Sequence, residues 1–160
     1  MSSSLCLWNK GLVLAEAFRL GAVAAGCAEA APLDGSAAAR YRRWIASGAH
    51  GTMGYLARHA GLRDDPRTLL PGARTVISLA FPYRPPGGYH HPWIADYALG
   101  RDYHTVLRER LNRLAAYIFC NFGAQSRPCV DSAPIAERYW AERAGLGHIG
   151  MNGQLIVPGV

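Results

Sequence analysis

"VDSAPIAERYWAERAGLGHIGMNG", Val130 to Gly153, decides how this chain is read. An apolar residue leads into one aspartate, Asp131. Pro134 follows where a missing backbone N–H costs a helix nothing, because the first N–H groups of a helix have no partner within it. An amphipathic run comes next, and then "GLGHIGMNG", with four glycines in nine residues and almost no charge. Just before this stretch, "RPCVD" reads as a short buried strand ending in Asp131. Just after it, "GQLIVP" reads as another strand. A chain that passes from strand to helix to strand without repeats predicts an α/β or α+β domain.

The flanking sequence supports that class. "RTVISLAFPY" is the strongest strand, a continuous apolar and β-branched run closed by Pro82. "AVAAGCA" suits a short strand before it. Helices are expected over Gly11–Leu20, ended by Gly21, and over "GSAAARYRRWIASG", with Ser36 as cap and Gly48 as stop. Tyr41, Trp44 and Ile45 share one face of that second helix. The longest helix runs from Asp102 to Phe119, with Leu107, Leu111, Leu114 and Ile118 as a buried stripe. "HGTMGYLARHAGLRDDPRTLLPGA" is a turn-rich surface segment, and "RPPGGYHHP" a loop of breakers. The expectation is one domain over residues 1–160, a mixed sheet flanked by helices. The stop after "IVPGV" reads as a truncation.

Composition narrows the class. Half of the 160 residues are apolar, enough for a core and against disorder. Net charge is +6, and Lys10 is the one lysine among 17 basic residues. Arginine suits phosphate and stacked bases, although codon bias toward Arg, Ala and Gly explains the same excess. Cys6, Cys27, Cys120 and Cys129 form no C-x-x-C pair, so no zinc or iron–sulfur ligand set is visible and no metal ligand is assigned. Buried free thiols in a cytoplasmic protein are expected. The N-terminus lacks the pattern of a signal peptide, and no apolar run is long enough to span a bilayer.

Asp131 has two readings. As a cap it would accept backbone N–H bonds at a helix start, worth roughly 0.3–1 kcal/mol through the dipole. As a general acid it would sit at the C-terminal end of a strand, where α/β sites tend to lie. The two conflict, since a helix N-terminus lowers a carboxyl pKa and a proton donor near neutral pH needs it raised. The glycine-rich loop would let backbone approach a ligand closely, but it is neither a dinucleotide fingerprint nor a P-loop. "YALGRDYH", Tyr97 to His104, offers Asp102 as an N-cap and puts Tyr103 and His104 on a first helical turn. Arg40, Arg42, Arg43, Arg58, Arg63, Arg67 and Arg74 could form either a phosphate-binding surface or a solvated face.

Four blocks in this order, "GYLARHAGLRDDPRTLLPGARTVISLAFPY", "YALGRDYHTVLRERL", "VDSAPIAERYWAERAGLGHIGMN" and "LIVP", resemble the N-terminal domain of the epoxyqueuosine reductase family. The resemblance runs from about residue 11 to the end. It implies a nitroreductase-like α/β fold adapted to cobalamin. It implies reduction of epoxyqueuosine to queuosine at the wobble base of tRNA, with electrons from 4Fe–4S clusters supplied in turn by a donor protein or reductant. The cluster cysteines would lie beyond Val160, so the isolated chain is expected to be nearly inactive. By the same resemblance Asp131 is the proton donor. His104, Ala133, Arg138, Gly147, Ile149, Gly150 and Asn152 would contact the cofactor, and Tyr97, Arg101 and Tyr103 the substrate. His148, Met151 and Gly153 depart from the family's usual aromatic, lysine and hydroxyl residues. A cytoplasmic monomer that binds the tRNA anticodon stem-loop is expected. Two rival readings are a reductive dehalogenase-like cobalamin enzyme and a non-catalytic cobalamin or RNA binder.

Overall fold

In the computed structural model of the chain, residues 8–83, 90–131 and 133–159 are described. Most of the breaker-rich loop expected after Tyr83, and Cys6, lie outside them.

Helix α1 (Lys10–Arg19) starts where the Asn9 side chain accepts from the Leu12 N–H at 3.2 Å, and it buries Val13 and Ala17. Strand β1 (Ala24–Glu29) pairs antiparallel with β2 (Thr75–Ala80), Cys27 opposite Ile77. Between them lie α2 (Gly35–Ala46), α3 (Gly54–Arg58), α4 (Ala60–Asp64) and a 3₁₀ turn at Pro66–Thr68. Asp34 rather than Ser36 caps α2: its carboxylate accepts from the Ala37 N–H at 2.8 Å, and the Ser36 hydroxyl donates to it at 2.6 Å. A carboxylate with two donors outcompetes a hydroxyl for the same position. Helix α5 (Tyr103–Phe122) follows a 3₁₀ turn at Asp96–Ala98 and ends at Gly123, whose φ of +66° is cheap only for glycine. Helix α6 (Glu137–Arg143) leads into a hairpin, β3 (His148–Ile149) with β4 (Leu155–Ile156).

The β1–β2 ribbon lies between two helical layers. Val13, Ala17 and Leu20 of the α1 region and Leu114 and Ile118 of α5 form the core, with Ala25, Ile77, Leu79 and Phe81 packed on it. Full burial of such side chains contributes about 1.5–3 kcal/mol each. Successive strand residues face opposite ways, so Gly26 turns to the other side, where α6 ends. A Cβ at Gly26 would come within 2.2 Å of the Ala144 carbonyl oxygen, so α6 docks on the ribbon only because that position is glycine.

The class is α+β. The strands among the described residues form two separate antiparallel pairs, not one mixed sheet. "RPCVD", expected as a strand, is irregular chain. Instead, a cleft of about 910 Å³ runs beside β2, walled by Leu107 and Leu111 of α5, by Trp140 of α6 and by the 124–131 segment. Cys27 and Cys129 are half-buried and Cys120 is exposed, so the thiols are less enclosed than expected. No helix among the described residues is long and apolar enough to cross a membrane.

Candidate functional site

Asp131 lies five residues before the cap of α6, which is Ala136 and makes no side-chain bond. Pro134 therefore precedes the helix in a bend and does not start it. The Asp131 carboxylate is not spent on capping, and its helix-cap reading falls. Asp131 takes φ +43°, and it is the non-glycine residue with positive φ among those described. That conformation costs about 1 kcal/mol or more for a residue with a Cβ, although aspartate tolerates it better than most.

Three groups hold it there. The Tyr103 hydroxyl donates to Asp131 Oδ2 from 28 residues away in sequence. His104 Nε2 lies 3.4 Å from the same oxygen. The Asp131 backbone N–H donates to Glu137 Oε1 at 2.9 Å. Tyr103 and His104 come side by side from the first turn of α5, stacked with ring centroids 4.0 Å apart. That turn is set by Asp102, the expected N-cap, whose Oδ1 accepts from the His104 N–H at 3.0 Å and lies 2.9 Å from His104 Nδ1.

Three groups around the site are shifted by their surroundings. The Tyr103 phenol is pushed up to about 12, chiefly because its proton bonds the Asp131 carboxylate. Asp102 is held below the usual carboxylate range, first by the His104 ring and then by the His104 backbone N–H. Glu137 is exposed as a whole residue, but its carboxyl reaches into the cleft wall, and desolvation there pushes its pKa up. Sequence reasoning missed Glu137. It has no periodic or motif signal of its own; its role exists only because the chain turns back at Asp131.

The expected cofactor contacts are divided. Arg138 donates to the Gly153 carbonyl, tying α6 to the hairpin turn. Gly147 is needed by the hairpin itself, since a Cβ would stand 2.0 Å from the Ile156 carbonyl oxygen; at Gly150 a Cβ would meet the movable end of the Ile156 side chain, Cδ1, at 2.8 Å. Gly145 and Gly153 take positive φ at turns, and Asn152 Oδ1 accepts from the Gln154 N–H at 3.0 Å. Three of the four glycines expected to approach a ligand, Gly145, Gly147 and Gly153, thus have a reason inside the chain. A further tie is Glu142, which accepts from the Ile149 N–H at 2.8 Å. The hairpin still presents exposed Ile149 and fully exposed Met151 beside exposed Asn152 and Arg138. An apolar face with amide and guanidinium groups at its rim fits a flat macrocycle fringed with carboxamides in kind. Ala133 lies in the bend after Asp131, its carbonyl accepting from the Ile135 N–H at 2.8 Å.

The expected substrate contacts are exposed or half-exposed. Tyr97 meets Tyr103 edge-on at 5.9 Å, and Arg101 reaches Glu109 at 3.2 Å. The arginine surface is partly used within the fold. Arg42 pairs with Asp64 and Arg67 with Asp65, while Arg63 lies over the Tyr41 ring and donates to the Ile135 carbonyl at 3.1 Å. Among the described residues no group of three or more His, Cys, Asp or Glu is placed to hold a metal ion.

Fold and site together define an α+β domain that presents a strained, hydrogen-bonded aspartate beside an exposed apolar hairpin. Comparison with known proteins makes this specific. Residues 63–132 match the family model "Epoxyqueuosine reductase QueG, DUF1730". An epoxyqueuosine reductase of Gloeobacter violaceus is 43% identical over 141 residues, which is 86% of this chain and 44% of that protein. The solved epoxyqueuosine reductase of Streptococcus thermophilus superposes with a TM-score of 0.77 at 28% identity, over 93% of this chain and 42% of that one. An epoxyqueuosine reductase solved with an epoxyqueuosine-modified tRNA-Tyr stem loop shares the fold, with a TM-score of 0.71 at 24% identity over 93% and 41%. Over most of its length the chain is similar to epoxyqueuosine reductases. It spans less than half the length of the curated relatives it matches.

Proposed function

We propose that this chain is the proton-donating part of an epoxyqueuosine reductase, an oxidoreductase acting on an epoxyqueuosine-modified base of tRNA. The observation that carries the reading is Asp131: it lies in the family-matched segment, its side chain is half-exposed, and it is oriented by Tyr103 and His104 instead of capping a helix. Loss of the epoxide oxygen needs a proton, because an alkoxide is a poor leaving group near neutral pH, and a positioned carboxylic acid supplies one. Family resemblance and the tRNA stem loop bound by the solved relative support tRNA as the partner. Exposed Tyr97 and Arg101 would meet it by stacking and phosphate contact.

The reducing equivalent must come from a cofactor, since side chains do not supply it. Cobalamin is the proposed one, held by Ile149, Met151, Asn152 and Arg138; when bound it supplies the electrons for C–O cleavage. The 4Fe–4S clusters would be carried outside the described residues and fed by a donor protein or reductant. A cytoplasmic monomer completes the proposal. The test is conversion of epoxyqueuosine-tRNA to queuosine-tRNA by the full-length enzyme and its Asp131→Asn variant, with cobalamin uptake measured in both. Activity lost in the variant with uptake intact supports the reading. Equal activity overturns the role of Asp131, and an inactive, cobalamin-loaded parent overturns the substrate.

A further inference from the structure

Tyr103 donates a hydrogen bond to Asp131 Oδ2, the oxygen that His104 also faces. An acid that has given up its proton must be reloaded; the Tyr103 phenol on this oxygen is too weak an acid to do so, and His104 Nε2 lies 3.4 Å from the same oxygen. The other ring nitrogen, Nδ1, is 2.9 Å from Asp102 Oδ1. Asp102 is fixed in turn because it caps α5. The ring is sandwiched against Tyr103, which limits its rotation, yet its side chain is 40% exposed and so open to water.

We propose that Asp102 and His104 form a proton-delivery pair that reloads Asp131 after each turnover, with His104 a positioning residue acting through Asp131. The proposal rests on Asp131 being the proton donor. The step balances without any redox change. The imidazolium gives its Nε2 proton to Asp131 Oδ2 and becomes neutral imidazole, keeping Nδ1–H on Asp102. Nε2 then regains a proton from solvent. Among the described residues the groups facing this ring are Asp102, Asp131 and the Tyr103 phenol, with Glu137 bonded to the Asp131 backbone and Tyr97 against Tyr103. A carboxylate on Nδ1 selects the tautomer that leaves Nε2 free to shuttle the proton, the opposite of the form free histidine prefers.

Two measurements test it. In this chain, ¹⁵N NMR of the neutral His104 ring should show Nδ1–H, shifting toward Nε2–H in Asp102→Asn, which keeps a capping residue. An Nε2–H ring in the parent overturns the relay whatever the substrate. In the full-length enzyme, His104→Gln should lower kcat about tenfold or more with KM unchanged, since proton transfer by a positioned side chain contributes about 10²–10⁴-fold. Added imidazole or lower pH should restore the rate, and neither should rescue Asp131→Asn. An unrescued loss that is equal at every pH means His104 is merely structural and overturns the proposal. Full activity in Asp131→Asn sinks the proton-donor reading itself, and the NMR result separates the two failures.

Discussion

Removing the Glu137 carboxyl should release Asp131 from its strained conformation. Asp131 at φ +43° costs about 1 kcal/mol against the ordinary backbone regions. Its N–H donates to Glu137 Oε1 at 2.9 Å. A backbone hydrogen bond contributes about 1 kcal/mol net, because folding exchanges it for bonds to water. The bond and the strain are therefore of the same size, and Glu137→Ala leaves only the side-chain contacts of Tyr103 and His104 to hold the turn. A loss of about 1 kcal/mol is about a fivefold change in population, so the Asp131 amide should exchange with deuterium about fivefold faster. Glu137→Gln keeps an acceptor oxygen and should exchange within about twofold of the parent. Amide exchange across 130–136, read by mass spectrometry or NMR, gives the answer. Unchanged exchange in Glu137→Ala, with the fold intact by circular dichroism, would refute the argument. Glu137 also carries a pH signature. Its folded pKa is raised by desolvation, so the folded state binds the proton more readily, and stability falls as pH rises from the unfolded value through the folded one. Glu137→Gln should flatten that segment of the stability profile.

Tyr103→Phe removes the hydroxyl donated to Asp131. Because the folded phenol titrates near 12 against an ordinary value of 10, the stability it contributes is present below pH 10 and lost as pH rises to about 12. Denaturant melts of parent and variant should differ at pH 9 and converge toward pH 12; a constant difference would show that the Asp131 bond is not its source. Gly147→Ala would drive a Cβ to 2.0 Å from the Ile156 carbonyl oxygen, so the hairpin must open and about 1–3 kcal/mol of stability should go, seen as a lower melting temperature. An unaltered melting temperature would mean that the hairpin is not formed as described.

What the sequence determined by itself was local. The helices α1, α2 and α5 could be read from their apolar spacing and stop signals, because helix hydrogen bonds close within four residues and caps act within three. Asp102 as the cap of α5 belongs to the same class, and the strands β1 and β2 were legible from their apolar runs. Asp131 could be singled out as a carboxylate at the mouth of a glycine-rich loop, but the sequence left its helix-cap and acid readings open. The tertiary structure removed the cap reading. It placed Tyr103 and His104, on a helix 28 and 27 residues earlier, against one carboxylate oxygen, and turned the backbone so that Glu137 receives the Asp131 N–H. It also left "RPCVD" irregular and gave Gly147 a role within the hairpin. Strand pairing and side-chain convergence join residues far apart in the chain, and their geometry comes from how α5, α6 and the ribbon pack, which no local pattern of residues encodes.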